Sequence, residues 1–214
     1  MAQLTLLGNL PYPQPTDAAN VPLHLQSLAE AVDGRTVLRF ADAATRDAKV
    51  NAPVAGMIAW LASPGRLFYY TGTNWALVAP GPSHKANTTT GTTTSITYAE
   101  TLTGSTGDPT IASFTAPPSG SVLVRVGGRI SNSVATASSF LSAVLKSGTT
   151  SVLAAADTRA AIVSGTNQSS ASTEFQVTGL GAGGAYTATL AARSSVATST
   201  VTFTNRFVTV TPLM

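Results

Sequence analysis

Cysteine is absent from the 214-residue chain. Disulfide staples and thiolate metal sites are therefore excluded, and stability has to come from packing within or between chains. Charge is scarce as well. Asp, Glu, Lys and Arg make up 10% of the chain, against about 25% in ordinary soluble domains. Disorder needs high charge and few apolar residues, and here 43% of residues are hydrophobic. The formal charge of +3 is not gathered into any Lys/Arg cluster, so no stripe tracks phosphates and nucleic acid is not an expected partner. No run of about 18 apolar residues occurs. Membrane insertion is not expected either, and the positive mean hydropathy of +0.21 comes from scattered Ala and Val. The first residues, Met1 to Gly8, lack the basic and apolar regions of a secretory leader. Histidine is limited to His24 and His84, too few for a zinc site without cysteine. No metal or other cofactor is expected.

What the chain has in abundance is hydroxyl groups. Ser and Thr form roughly a quarter of it, so its surface is built from hydroxyls, amides and backbone. The run Leu10-Pro11-Tyr12-Pro13-Gln14-Pro15 favours extended structure, because alternate prolines forbid a helix. Asn20 or Pro22 can then open a helix over Leu23–Val32, with Leu25, Leu28, Ala29 and Val32 on one face. About ten residues are too few for a helix to stand alone in water, so that face must dock on something.

Residues 36–80 change period. Phe40 to Ala48 reads as a short helical stretch. Gly56–Leu61, Leu67–Tyr70 and Trp75–Val78 read as three strands separated by Ser63-Pro64-Gly65-Arg66 and Thr71-Gly72-Thr73-Asn74 turns. The aromatics Trp60, Phe68, Tyr69, Tyr70 and Trp75 suit a shared core of this small meander. Residues 81–94, Pro-rich and then Thr-rich, read as a linker and boundary, the Thr-rich run being either flexible or a β-edge. From 95 to 214 the pattern is short alternating strands with turn signals between them, which points to an antiparallel sandwich or jelly roll.

Few motifs point to catalysis. Gly179 to Gly184 satisfies a dinucleotide-binding spacing, but an alternating strand pattern follows it and no acidic residue lies beyond Glu174. It reads as a glycine-rich hairpin turn. Both histidines fall outside the Ser-rich β-segment as read here, so no nucleophile–base pair is expected. The β-segment holds four carboxylates, Glu100, Asp108, Asp157 and Glu174. Asp108 reads as a surface turn residue, and Asp157 as part of a turn or a local pair with Arg159. A glycosidase pair is the runner-up to plain surface carboxylates.

The order of parts resembles the minor tail and fibre-type virion proteins of phages infecting actinobacteria. The residues that carry the likeness are Leu10 to Asp17, Leu25 to Asp33, Arg39 to Ala48, the Gly56 to Trp75 stretch, and the terminal Phe175 to Leu180 and Phe203 to Leu213 segments. The resemblance implies a homotrimeric, non-enzymatic particle protein without cofactors. Residues 1–35 would be a virion-anchoring arm and helix, 36–80 a β-module, 81–94 a linker and 95–214 a β-tip. It implies anchoring to other virion proteins through Leu10, Pro11, Tyr12, Pro13, Pro15 and Asp17, and trimer contacts through Leu25, Leu28 and Val32.

The fold class expected is thus mainly β: a short N-terminal helix, a three-stranded meander and a C-terminal jelly-roll-like sandwich, in a trimer. The function expected is a tail fibre or receptor-binding appendage on the particle surface that attaches to host cell-wall glycan. A capsid decoration or head fibre, and a glycan depolymerase, are the alternatives. The Ser/Thr-rich loops at 131–139 and 164–172 are the polar candidates for glycan contact.

Overall fold

The computed structural model describes residues 3–4, 10–12, 14, 20–33 and 36–213. The chain is mainly β and divides into two compact units, Met1–Val78 and Ala79–Met214.

In the first unit, β1 (Gln3–Leu4) and β2 (Pro11–Tyr12) pair antiparallel. Helix α1 (Val21–Asp33) starts where expected, because the Asn20 side-chain oxygen accepts a hydrogen bond from the Leu23 N–H at 3.1 Å. Its apolar residues lack cover. Val21, Leu23, Leu25 and Leu28 are 64%, 54%, 61% and 38% exposed.

Next come β3 (Leu38–Phe40), α2 (Ala43–Lys49), β4 (Ile58–Leu61), β5 (Arg66–Tyr70) and β6 (Trp75–Leu77). The expected meander β4–β5–β6 is present, and the sheet gains β3 as a fourth strand, parallel to β4. Three residues carry too little periodicity to announce a strand. The β3–α2–β4 crossover supplies it instead. Asp42 caps α2 by accepting from the Thr45 N–H at 2.8 Å. Arg46 then lies buried, its guanidinium 4.6 Å from the Trp75 ring centroid and 5.8 Å from that of Phe68. Tyr70 and Trp75 tilt together at 5.4 Å. Part of the aromatic cluster is thus the core of the small sheet, while Trp60 stays 37% exposed.

The second unit is an antiparallel β-sandwich of jelly-roll type. Its strands are β7 (Ser83–Asn87), β8 (Gly91–Thr93), β9 (Ile111–Thr115), β10 (Ser121–Asn132), β11 (Ser138–Ser147), β12 (Thr150–Leu153), β13 (Ala161–Ser164), β14 (Ser169–Val177), β15 (Ala185–Ser194) and β16 (Val201–Leu213). One sheet runs β14–β10–β16, with β7 and β8 sharing the far side of β16. The other runs β11–β15–β9, with β12 and β13 sharing the outer side of β11. Alternate residues of the long strands fill the space between: Val122, Val124, Val126 and Ile130 from β10, Val201, Phe203, Val208 and Val210 from β16, Leu141, Ala143 and Leu145 from β11. All of these are fully buried.

Two expectations change here. Residues 83–87 and 91–93, read as linker, are strands β7 and β8 of the sandwich, and the division between units falls after Val78. Both pair with successive halves of the 13-residue β16, whose edge would otherwise present unpaired backbone. The glycine-rich 179–184 segment does not close a hairpin. It carries the chain from β14 in one sheet to β15 in the other. The passage is tight: Leu180 N donates to the Gly120 carbonyl at 3.0 Å. Gly120 has φ +64°, and a Cβ there would strike the Leu180 carbonyl.

β16 contains a bulge. Opposite Gly127 to Arg129 of β10, it spends one residue more, running from Thr204 to Phe207, with Asn205 at φ 49°. Core-facing positions are Val201 and Phe203 before it and Arg206, Val208 and Val210 after it. Gly128 permits the bulge, since a Cβ there would sit 3.2 Å from Arg206 Cα and from the Thr204 carbonyl.

The bulge turns Arg206 inward. Its side chain is 1% exposed and pairs at 2.8 Å with Asp108, itself 2% exposed. Arg206 also donates to the carbonyls of Thr89 at 2.8 Å and Phe203 at 3.2 Å and to Ser105 Oγ. Asp108 accepts from Asn87 Nδ2, Thr110 Oγ1 and the Leu102 N–H at 3.0, 3.0 and 3.1 Å. The expected surface turn residue is therefore a buried ion with all its neighbours in place. Burial pushes the Asp108 carboxyl up, but the hydrogen bonds and charge of Arg206, helped by Thr110 and Leu102, outweigh it and hold the group below the ordinary carboxylate range.

A carboxyl depressed on folding contributes stability that is complete above its unfolded pKa, about pH 4, and is lost as pH falls through the folded value. Asp108→Asn is expected to cost about 3–5 kcal/mol by leaving Arg206 buried and unpaired, and to remove that acid-sensitive part of the stability. The paired replacement Asp108→Leu with Arg206→Met should cost less than Asp108→Asn alone. Urea unfolding of the three chains at pH 7 and pH 3 checks all three outcomes.

Candidate functional site

The bulge also turns Phe207 outward, onto the solvent side of the β14–β10–β16–β7 sheet. The strand register assembles that face in rows. Glu174, Arg125, Thr209 and His84 lie side by side; the next row is Ser172, Gly127, Phe207 and Ala86, and the one after is Ser170, Arg129 and Thr204. Gly127 lets the Phe207 ring settle low: a Cβ there would be 2.7 Å from Phe207 Cζ and 2.8 Å from Ser172 Cβ. The ring is half-buried, with the Arg125 guanidinium 5.9 Å from its centroid and the His84 ring at 6.0 Å. His84 is fixed by a 2.8 Å hydrogen bond between Nδ1 and Thr209 Oγ1. Arg125 Nη2 reaches Ser172 Oγ at 3.5 Å.

Beside this ring lies a surface cavity of about 410 Å³, lined by Arg125, Gly128, Arg129, Ser170, Ser172, Asn205 and Phe207, with Ala171. An aromatic floor, two guanidiniums and three hydroxyl or amide side chains are the chemistry of polyol recognition: stacking below and directional hydrogen bonds at the sides. The first unit has a larger groove, about 940 Å³, along the outer edge of β3. Of its polar side chains Thr45 bonds to Asp42, while Thr36, Arg39, Lys49 and Asn51 make no hydrogen bond among the described residues.

The second sheet carries a different cluster. Asp157 accepts from Arg193 Nε at 3.0 Å and from Tyr98 OH at 2.9 Å, and pairs with Arg193 Nη2 at 2.5 Å. The Arg193 guanidinium stacks 3.9 Å from the Phe140 ring centroid. The partner of Asp157 is thus Arg193, not Arg159 next door. The hydrogen bond from Arg193 is the main reason that Asp157 sits below the ordinary carboxylate range. Burial, and then Asp157, push the Tyr98 hydroxyl upward. Of the four β-segment carboxylates, Asp108 and Asp157 are held ionised and Glu100 pairs with Lys146 at 2.7 Å. Asp108 and Asp157 therefore offer no proton at neutral pH, which a general acid must do.

The residues expected to anchor the chain and to make trimer contacts come together only in part. Leu10, Pro11 and Tyr12 line one apolar surface hollow of about 320 Å³ with Val21, His24, Leu25 and Leu28 of α1. Val32, at the end of the same helix, is half-buried and lies off this hollow. Pro13, Pro15 and Asp17 lie outside the described residues. The loop at 131–139 spends its polar groups internally: Asn132 Nδ2 donates to Ser139 Oγ at 3.2 Å, and Ser133 Oγ accepts from the Thr200 N–H at 2.8 Å. Of the 164–172 stretch, Ser170 and Ser172 reach the cavity because they sit on β14, not on a loop.

His84, read as a linker residue, is part of the sheet. Arg125, Arg129, Asn205 and Phe207 are additions that loop polarity could not supply. The Gly127-Gly128 pair inside a strand pattern was the available signal.

Gly127→Ala is expected to lift Phe207 and cost about 1–3 kcal/mol by overpacking, read as a lower urea midpoint with an unchanged slope.

No family model and no curated protein matches the chain. Several solved structures resemble it distantly, among them the following. Eiger TNF from S. frugiperda is 12% identical, with 64% of this chain and 94% of that one covered and a TM-score of 0.41. The CBM22-1 xylan-binding domain of Paenibacillus barcinonensis Xyn10C is 9% identical, with 60% and 94% covered and a TM-score of 0.31. The enzymatically active domain of bacteriophage CBA120 tailspike protein 4 is 8% identical, with 60% of this chain and 19% of that one covered and a TM-score of 0.24.

Proposed function

We propose that the protein is a non-enzymatic phage virion appendage, a trimeric tail-fibre or receptor-binding component whose C-terminal sandwich attaches to host surface glycan. The observation that carries the binding function is the Phe207 face, where an aromatic ring and fixed polar groups flank an open cavity. The particle assignment rests on the sequence resemblance of the N-terminal and meander segments. The exposed Val21, Leu23, Leu25 and Leu28 of α1 supply the surface that sister helices would cover. Three such tips on one particle protein gain avidity without any new contact.

Immuno-electron microscopy with antibody against residues 79–214 tests the assignment. Label is expected at the tail end; label on the capsid would make the protein a head fibre, and absence of label from all particles would overturn the virion reading. Sedimentation equilibrium is expected to give a trimer, which Leu25→Asp with Leu28→Asp dissociates. The protein is further expected to bind purified actinobacterial cell walls without releasing reducing ends, and failure to bind them would overturn the glycan reading.

A further inference from the structure

We infer that the Phe207 face takes an acidic polysaccharide, with its carboxylate or phosphate groups on Arg125 and Arg129 and a sugar ring over Phe207. This rests on the glycan-binding reading above and narrows it from sugars in general to polyanions.

The charge distribution of the sandwich carries the inference. Residues 79–214 hold four acids. Three are consumed by Arg206, Arg193 and Lys146 at 2.8, 2.5 and 2.7 Å. Arg125 and Arg129 have no ion pair among the described residues, and both line the same cavity. The fourth acid, Glu174, is the strand neighbour of Arg125, yet the guanidinium turns to Ser172 Oγ and the Phe207 ring instead. Two guanidiniums therefore face one hollow, Arg129 with no hydrogen bond among the described residues and Arg125 with a single 3.5 Å contact to Ser172 Oγ. A neutral sugar offers them only hydroxyls. A carboxylate or phosphate offers a matching pair of acceptors and a charge-assisted bond.

The spacing and shape suit a chain more than a small ion. Arg125 and Arg129 are four residues apart on one strand, about 13 Å at 3.3 Å per residue, and the Phe207 ring lies low over Gly127 between them. Ser170, Ser172 and Asn205 stand around the cavity that this ring borders. A polymer that repeats its charge along the backbone can engage both arginines while its ring faces stack and its hydroxyls meet the serines and the amide.

Isothermal titration of the full chain tests this with three probes: hyaluronan hexasaccharide for carboxylate, poly(glycerol phosphate) for phosphate, and chitohexaose as the neutral control. At least one acidic probe is expected to bind about tenfold or more tighter than chitohexaose, and to weaken as salt rises from about 50 to 300 mM. Which acidic probe binds better identifies the source of the anion. Arg125→Gln with Arg129→Gln, both at exposed positions, should abolish that preference while the urea midpoint stays in place.

The inference is overturned if chitohexaose binds as tightly as both acidic probes, if neither acidic probe binds, or if the double variant keeps the preference. Cell-wall binding by the same double variant separates the two levels. Walls bound equally by wild type and variant leave glycan attachment standing and remove the acidic site. Walls bound by neither remove glycan attachment itself.

Discussion

The bulge in β16 is the constraint on which the rest of the sandwich depends. One extra residue between Thr204 and Phe207 reverses the alternation of the strand. Arg206 turns into the interior and Phe207 turns out to solvent. Without it, strand periodicity would place Arg206 on the surface and the aromatic ring in the core. The same local distortion thus creates the buried ion pair and exposes the platform of the candidate site. Gly127 and Gly128 on the neighbouring strand make it sterically possible, one by admitting the Phe207 ring and the other by admitting the bulged backbone.

The buried pair then organises segments that contribute little besides Leu102 to the hydrophobic core. Arg206 holds the Thr89 carbonyl between β7 and β8 and the Ser105 hydroxyl, while Asp108 holds Asn87, Leu102 and Thr110. These stretches are rich in Thr, Ser and Gly and bury little apolar surface. Hydrogen bonding to a buried ion pair substitutes for it, and the ions are tolerated because their donors and acceptors are occupied. This explains how a sandwich with few charges still depends strongly on one pair of them.

Function follows from where charge is left over. The remaining acids are mostly absorbed by structural arginine and lysine contacts; Lys85, Arg125, Arg129 and Arg159 are left without an ion pair among the described residues, and of these Arg125 and Arg129 line the Phe207 cavity. Preorganisation comes from the sheet itself: the side chains stand on adjacent rigid strands and lean on one another through Ser172, Thr209 and His84. The first unit has the opposite character. Its helix presents uncovered apolar residues to solvent, a surface suited to further copies of the chain rather than to a polar ligand.

The sequence by itself determined the class of structure. Alternation in Val122 to Val126 and Leu141 to Leu145 and the spacing of turn signals were sufficient for a β-sandwich, and Asn20 and Pro22 marked the start of α1 to within two residues, because these are local effects of period and capping. The change of phase from Val201 and Phe203 to Val208 and Val210 was also written in the sequence, as was the unusual Gly127-Gly128 pair. What they do was not. That Arg206 meets Asp108 98 residues away, that the Thr-rich segment joins β16, and that Phe207 is ringed by Arg125 and His84 were decided by tertiary structure alone. Strand pairing selects such neighbours through register between distant segments, and no local pattern encodes register.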